Sequence, residues 1–204
     1  MISTDERWIF VHIQKTGGNS IRSALGVERN DPHKHFSARE LRQLYGDDAW
    51  QRGFKFAFVR NPWDRLVSWW SMIECTRLSS TSDATLNNFI RYVIQHAQTF
   101  DEFISRCTDE IVDSDGLKQI FRNQIDYLVD DAGAVIVDFI GRFEQLQADF
   151  DEVTNRLGLG NISLPRINVS RHASYPEYYT PATAQQVGRL YARDIERFGY
   201  QFAK

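Results

Sequence analysis

A basic excess, clustered cysteines and long apolar runs are all missing from this chain. Lysine and arginine number 24 against 27 acidic residues, a formal charge of −3. Broad nucleic-acid binding needs a basic face, so no nucleic-acid partner is expected. Any anion site must be a local gathering of Lys and Arg. The two cysteines, Cys75 and Cys107, form no CxxC and have no histidine at zinc-ligand spacing. Buried or free thiols are the expectation, ahead of a disulfide or a metal site. The apolar run at residues 8–13 is too short for a membrane span, and neither a basic leader nor a small-residue cleavage site accompanies it. The sequence therefore reads as cytoplasmic, with no integral membrane segment. It shows no repeat, low-complexity tract or linker, so its 204 residues are expected to form a single domain, 1–204, with a full core.

What is present alternates between two periodicities. Residues 8–13, rich in aromatic and β-branched side chains, predict a strand, and residues 54–59 a second one. A helix is expected over 19–25, capped by Asn19 or Ser20. Ser37-Ala38-Arg39-Glu40 has the capping-box spacing and opens a short helix with Leu41 and Leu44 on one side. Asn61 and Pro62 suit an N-cap and a first helical position, so a helix over 62–74 begins just after Arg60. Helical spacing returns over 86–97, Thr99 to Glu102 forms a second capping box, and 134–140 reads as an inner strand. Residues 144–157 make an amphipathic helix that stops at Gly158, 162–179 are irregular, and 181–198 form one closing helix. Strands interleaved with helices predict a three-layer α/β/α domain with a central, mainly parallel sheet, binding ligands at the C-terminal strand ends.

Two segments carry the chemistry. Lys15-Thr16-Gly17-Gly18-Asn19-Ser20 follows the first strand, and Arg60-Asn61-Pro62-Trp63-Asp64-Arg65-Leu66-Val67-Ser68 follows the second. A glycine turn between strand and helix leaves backbone N–H groups pointed at one spot, where they cradle an anion. Lys15 adds a mobile charge to the first site. Arg60 and Ser68 add a guanidinium fork and a hydroxyl to the second. Two such sites on one sheet fit a ligand with two separated phosphate-like ends. The first loop is not a Walker A loop, which needs its lysine after the glycines. Lys15 precedes Gly17 and Gly18, and no magnesium-binding carboxylate ends a later strand. That order favours a metal-free site in which Lys15 neutralises a leaving group. Trp63, Trp69 and Trp70 are expected in the core.

Together these motifs resemble the sulfotransferase family, and within it the carbohydrate O-sulfotransferase branch of the heparan and chondroitin enzymes. Lys15 to Ser20 looks like the family's 5′-phosphosulfate loop and Arg60 to Ser68 like its 3′-phosphate motif. Further matches follow in order: Arg122-Asn123-Gln124 with Tyr127-Leu128, Ile140-Gly141-Arg142-Phe143-Glu144 with Asp149-Phe150, and Leu164-Pro165 with Asn168-Val169-Ser170. Tyr175, Tyr178-Tyr179 and a closing Asp194-Ile195-Glu196-Arg197-Phe198-Gly199-Tyr200 complete the set. The resemblance implies a P-loop-like sulfotransferase fold, 3′-phosphoadenosine 5′-phosphosulfate as donor, no metal, and a hydroxyl acceptor, a saccharide. It implies that Lys15 and the amides of Thr16, Gly17, Gly18, Asn19 and Ser20 hold the 5′ end. Arg60 and Ser68 then hold the 3′-phosphate, and a late loop covers the donor, with Arg171 reading equally as its basic contact or as a solvated loop arginine. Asn19 stands where the family usually has threonine.

Sulfuryl transfer needs a base for the acceptor hydroxyl, and an imidazole with a pKa near 6.5 suits neutral pH. His12, inside the first strand, reads as structural, and His96 as surface. His33 and His35 lie where the family places its catalytic histidine, with His35 favoured as base over a capping role. Two other readings stay open. A P-loop-like kinase would use ATP and magnesium. A non-catalytic module would bind the nucleotide or a glycan and tolerate loss of both histidines. Asn123 and Gln124 read equally as acceptor contacts or as a buried polar network.

Overall fold

The computed structural model describes residues 1–27, 31–79, 86–113, 116–118, 120–167 and 173–203. The aromatic and β-branched runs do form strands: β1 Trp8–Val11, β2 Phe54–Val59 and a third, Phe139–Arg142, in one parallel sheet of order first, second, third. The pairing runs from Trp8 opposite Phe54 to Val11 opposite Ala57, and from Phe56 opposite Phe139 to Val59 opposite Arg142. All three strands therefore end at the same edge, where ligands of parallel sheets bind.

Alternation along these strands sends Trp8, Phe10, Phe56 and Phe58 to one face. There they pack with Ile21 of α1 (Gly18–Ala24) and with Phe150, Val153 and Leu157 of a helix at Leu146–Arg156. Phe10 and Phe56 stack with ring centroids 5.0 Å apart. Each such buried side chain contributes about 1.5–3 kcal/mol. Phe58 lies opposite Gly141, and a Cβ there would overlap its ring. Ile9, Val11, Ala57 and Val59 point the other way and are equally buried, so both faces of the sheet are covered. This is a three-layer α/β/α arrangement.

The chain divides into two compact units, Met1–Arg60 with Gln124–Val169, and Asn61–Asn123 with Ser170–Lys204. The first holds the parallel sheet together with α2 (Ala38–Tyr45) and α3 (Asp47–Arg52). The second holds α4 (Pro62–Leu78), α5 (Asn88–His96), α6 (Phe100–Arg106) and an antiparallel pair, β3 (Ile111–Asp113) with β4 (Gly116–Lys118). Phe139–Arg142 is thus β5 and Leu146–Arg156 is α7. The C-terminal helices α8 (Pro181–Leu190) and α9 (Ala192–Phe198) complete the second unit.

The capping boxes at Ser37 and Thr99 and the Asn61 cap are present. Four expectations need correction. Helix α1 is capped by Gly17, in the left-handed region, with no side-chain cap from Asn19 or Ser20. Leu41 is buried but Leu44 is exposed. The strand expected over 134–140 begins only at Phe139, because Asp130 Oδ1 accepts from the amides of Ala132 and Ala134 and folds that segment back. Ile136 N–H then bonds to Leu128 rather than to β2. The closing helix is two helices, broken at Tyr191 (φ −107°, ψ 24°), whose buried hydroxyl donates to the Ile120 carbonyl. The β3–β4 pairing is not among the elements expected from the sequence.

Candidate active site at the C-terminal strand ends

The turn after β1 is wound tightly by its own residues. Thr16 is fully buried, and its hydroxyl donates to the Ile13 carbonyl at 2.8 Å. Lys15 and Gly17 both take left-handed backbone, φ 68° and 84°. That costs a non-glycine residue roughly 1–2 kcal/mol, so Lys15 is held there by its surroundings. Left-handed backbone favours glycine at Gly17, and a Cβ there would also press on the Leu146 side chain at 2.7 Å and on Phe143 at 3.3 Å. The winding leaves the amides of Gly17, Gly18 and Asn19 without a main-chain acceptor among the described residues. The Ser20 amide bonds to the Gly17 carbonyl at 3.0 Å and closes the first helical turn, which leaves its hydroxyl as the group a ligand would meet. Asn19 is exposed and accepts from Arg22 Nη2 at 3.4 Å.

Arg60, the residue after β2, reaches this turn. Its guanidinium lies 3.9 Å above the Phe143 ring, and Nη1 donates to the Lys15 carbonyl at 3.2 Å. Its backbone is gripped by the buried Gln124 amide, which accepts from Arg60 N–H at 2.9 Å and donates to Arg60 C=O at 2.8 Å. The ends of all three parallel strands thus supply one cluster: Lys15 after β1, Arg60 after β2 and Phe143 after β5. A planar, permanently charged fork pre-set against an aromatic face is suited to phosphate.

The same end carries three imidazoles. His35 Nδ1 lies 3.2 Å from the carbonyl of His12. A carbonyl only accepts, so Nδ1 carries the hydrogen and, in the neutral ring, Nε2 holds the basic lone pair. His33 turns to Asp31, with Nδ1 3.6 Å from its carboxylate, and sets its ring edge-on to Phe36. His12 stands one residue beyond β1, buried between Phe10 and His35. Burial, reinforced by the neighbouring His35, holds its pKa well below 6.5, so it is neutral.

The profile of the sulfotransferase family matches residues 1–201. This chain is a member of the sulfotransferase family. No curated protein and no solved structure matches it. The remaining motif residues of this sulfotransferase fall as follows. Ser68 is buried in the second unit on α4, whose start is capped by Asn61 Oδ1 accepting from Trp63 and Asp64 amides at 3.1 and 3.5 Å. Trp63 and Trp70 are buried in that unit's aromatic core, and Trp69 packs on Phe89. Asn123, half-buried, donates to the Leu190 carbonyl and accepts from the Asp194 amide, and the buried Gln124 bonds to Arg60, so both belong to structural polar networks. Arg171 lies outside the described residues.

A groove of about 490 Å³ at the opposite, N-terminal strand ends is also basic, lined by Arg7, Arg52, Lys55 and Arg156. Each of those cations is already ion-paired, with Asp5, Glu6, Asp138 and Glu152 respectively, which leaves little net field there. No described helix is long and apolar enough to cross a membrane. The sequence reading missed His12, which was assigned to the strand, and Phe143, whose place beside Arg60 depends on a pairing between distant strands.

Proposed function

We propose that this sulfotransferase moves the sulfuryl group of 3′-phosphoadenosine 5′-phosphosulfate onto a saccharide hydroxyl by in-line displacement, with His35 as the base. The observation that carries the reading is the Arg60 guanidinium bonded to the Lys15 carbonyl, beside amides with no main-chain acceptor among the described residues and at the strand end that also bears His35. Residues at this end fit the donor chemically. Gly17, Gly18 and Asn19 offer main-chain donors and Lys15 an ammonium for the 5′ end, and Arg60 offers a fork for a phosphate. Ser68 and Arg171 keep the donor-binding role that the family resemblance implies, and the saccharide acceptor rests on the same resemblance.

The donor supplies an electrophilic sulfur joined to a phosphate leaving group. His35 Nε2 accepts the proton of the attacking hydroxyl, while Nδ1–H stays on the His12 carbonyl and stabilises the imidazolium formed. Lys15 neutralises charge that develops on the departing phosphate oxygen. A positioned base of this kind contributes about 10²–10⁴-fold. The test is transfer of labelled sulfur from the donor to a panel of saccharides, by the wild type and by His35→Ala. The variant should lose about 10²-fold or more in turnover while binding 3′-phosphoadenosine 5′-phosphate as the wild type does. Retained turnover removes His35 from the role. Magnesium-dependent ATP consumption in place of transfer favours the kinase reading, and nucleotide binding with no transfer to any acceptor favours the non-catalytic module.

A further inference from the structure

His12 has a place that a simple core histidine does not need. The residue is 5% exposed, and among the described residues its Nδ1 has no hydrogen-bond partner. An orphaned buried nitrogen costs about 1–3 kcal/mol, which an apolar side chain in the same slot avoids. Three neighbours account for the slot. Phe10 stacks on the ring at 5.4 Å with planes 15° apart. His35 leans on it at 4.7 Å and is bonded to its carbonyl. On the third side is Gly18, where a Cβ would overlap the imidazole from Nε2 to Cε1. Gly18 does not have left-handed backbone. An alanine there is excluded by the His12 ring, not by conformation.

We infer that His12 is the positioning residue of this site, a single buried ring that sets both how closely the glycine turn approaches β1 and how the His35 imidazole is aimed. The assignment rests on the reading in which the turn holds the donor and His35 is the base. It goes beyond that reading by naming what registers one against the other. Through its carbonyl, His12 fixes the His35 tautomer. Through its ring, it fixes the His35 plane and the depth of Gly18. The carbonyl is main chain and stays in any substitution. What depends on the side chain is the plane of His35 and the depth of Gly18, and the ring touches neither the sulfuryl group nor the acceptor.

The experiment is a double-mutant cycle on the full chain: wild type, Gly18→Ala, His12→Ala and the double variant, with His12→Leu as a second background should the alanine variant fold poorly. Calorimetry with 3′-phosphoadenosine 5′-phosphate and the melting temperature are read for each, and the His35 ring is followed by nitrogen-15 NMR. Gly18→Ala should weaken binding about tenfold or more in the wild type and only a few-fold once the ring is gone, a coupling of the size contacting residues show. The His35 Nδ1–H signal, distinct in the wild type, should shift and broaden in His12→Ala and His12→Leu. Additive effects of Gly18→Ala in both backgrounds, or a His35 signal indifferent to His12, overturn the assignment. A wild type that binds no nucleotide instead removes the donor reading, and the coupling is then still read from melting temperatures and NMR.

Discussion

Replacing Gln124 by leucine tests whether Arg60 is held by its backbone. The Gln124 amide meets both the N–H and the C=O of Arg60, at 2.9 and 2.8 Å, and both residues are buried. Leucine has a similar volume and can make neither bond, so two main-chain groups lose a partner where water does not readily replace it. Each such loss costs about 1–3 kcal/mol, or roughly 2–6 kcal/mol together. Against a total stability of about 5–15 kcal/mol, that is a large fraction. For a chain of this size, about 2–4 °C per kcal/mol gives a fall in melting temperature of at least about 4 °C. Function should follow. With its backbone released, Arg60 loses its register over Phe143 and against Lys15, and affinity for 3′-phosphoadenosine 5′-phosphate should drop about tenfold, the equivalent of 1.4 kcal/mol. Gln124→Glu keeps the acceptor for Arg60 N–H and should fall between. Scanning calorimetry and nucleotide titration on the three proteins decide the matter. A leucine variant that melts within about 1 °C of the wild type and binds nucleotide equally refutes the clamp.

Phe143→Leu keeps an apolar contact for Gly17 but removes the ring beneath the Arg60 guanidinium. A cation–π contact of about 0.5–2 kcal/mol predicts a roughly two- to thirtyfold weaker nucleotide complex, and unchanged affinity in titration counts against the stack. Stability should also depend on pH through His12, whose folded pKa lies well below 6.5. Below pH 6.5 the unfolded chain takes up a proton that the folded chain refuses, so this contribution is complete above 6.5 and is lost as pH falls. Between pH 6.5 and 5.5 the loss is about 1 kcal/mol, and denaturation midpoints should show a shallower fall in His12→Leu. The groups that face His12, namely His35, Arg22, Lys34 and the N-terminal amine, remain in that variant, so an identical pH dependence in the two proteins contradicts a neutral buried imidazole.

Local chemistry made much of this legible from the sequence. The Asn61-Pro62 start, the Ser37 and Thr99 boxes, and the strand at 54–59 each depend on a few neighbouring residues, and each is found where those residues put it. The lysine–glycine turn was legible for the same reason. What escaped depends on contacts between distant segments. Nothing near residue 134 announces that Asp130 turns the chain back before β5. The break at Tyr191 is tied to a carbonyl at Ile120, 71 residues away. Gln124 was ambiguous because its function is set by Arg60, 64 residues earlier. His12 reads as structural because it lies inside the strand predicted over residues 8–13. Its contacts with Gly18 and His35 exist only once the turn has wound back past the end of β1.

The central claim is that the Lys15 turn and Arg60 form a donor site. The measurement that tests it most directly is titration of the wild type and Arg60→Ala with 3′-phosphoadenosine 5′-phosphate in the absence of metal. The account predicts micromolar binding by the wild type, collapsing in the variant while its fold, monitored by circular dichroism, is retained. A folded wild type that does not bind the nucleotide, or an Arg60→Ala variant that binds it equally well, contradicts the account.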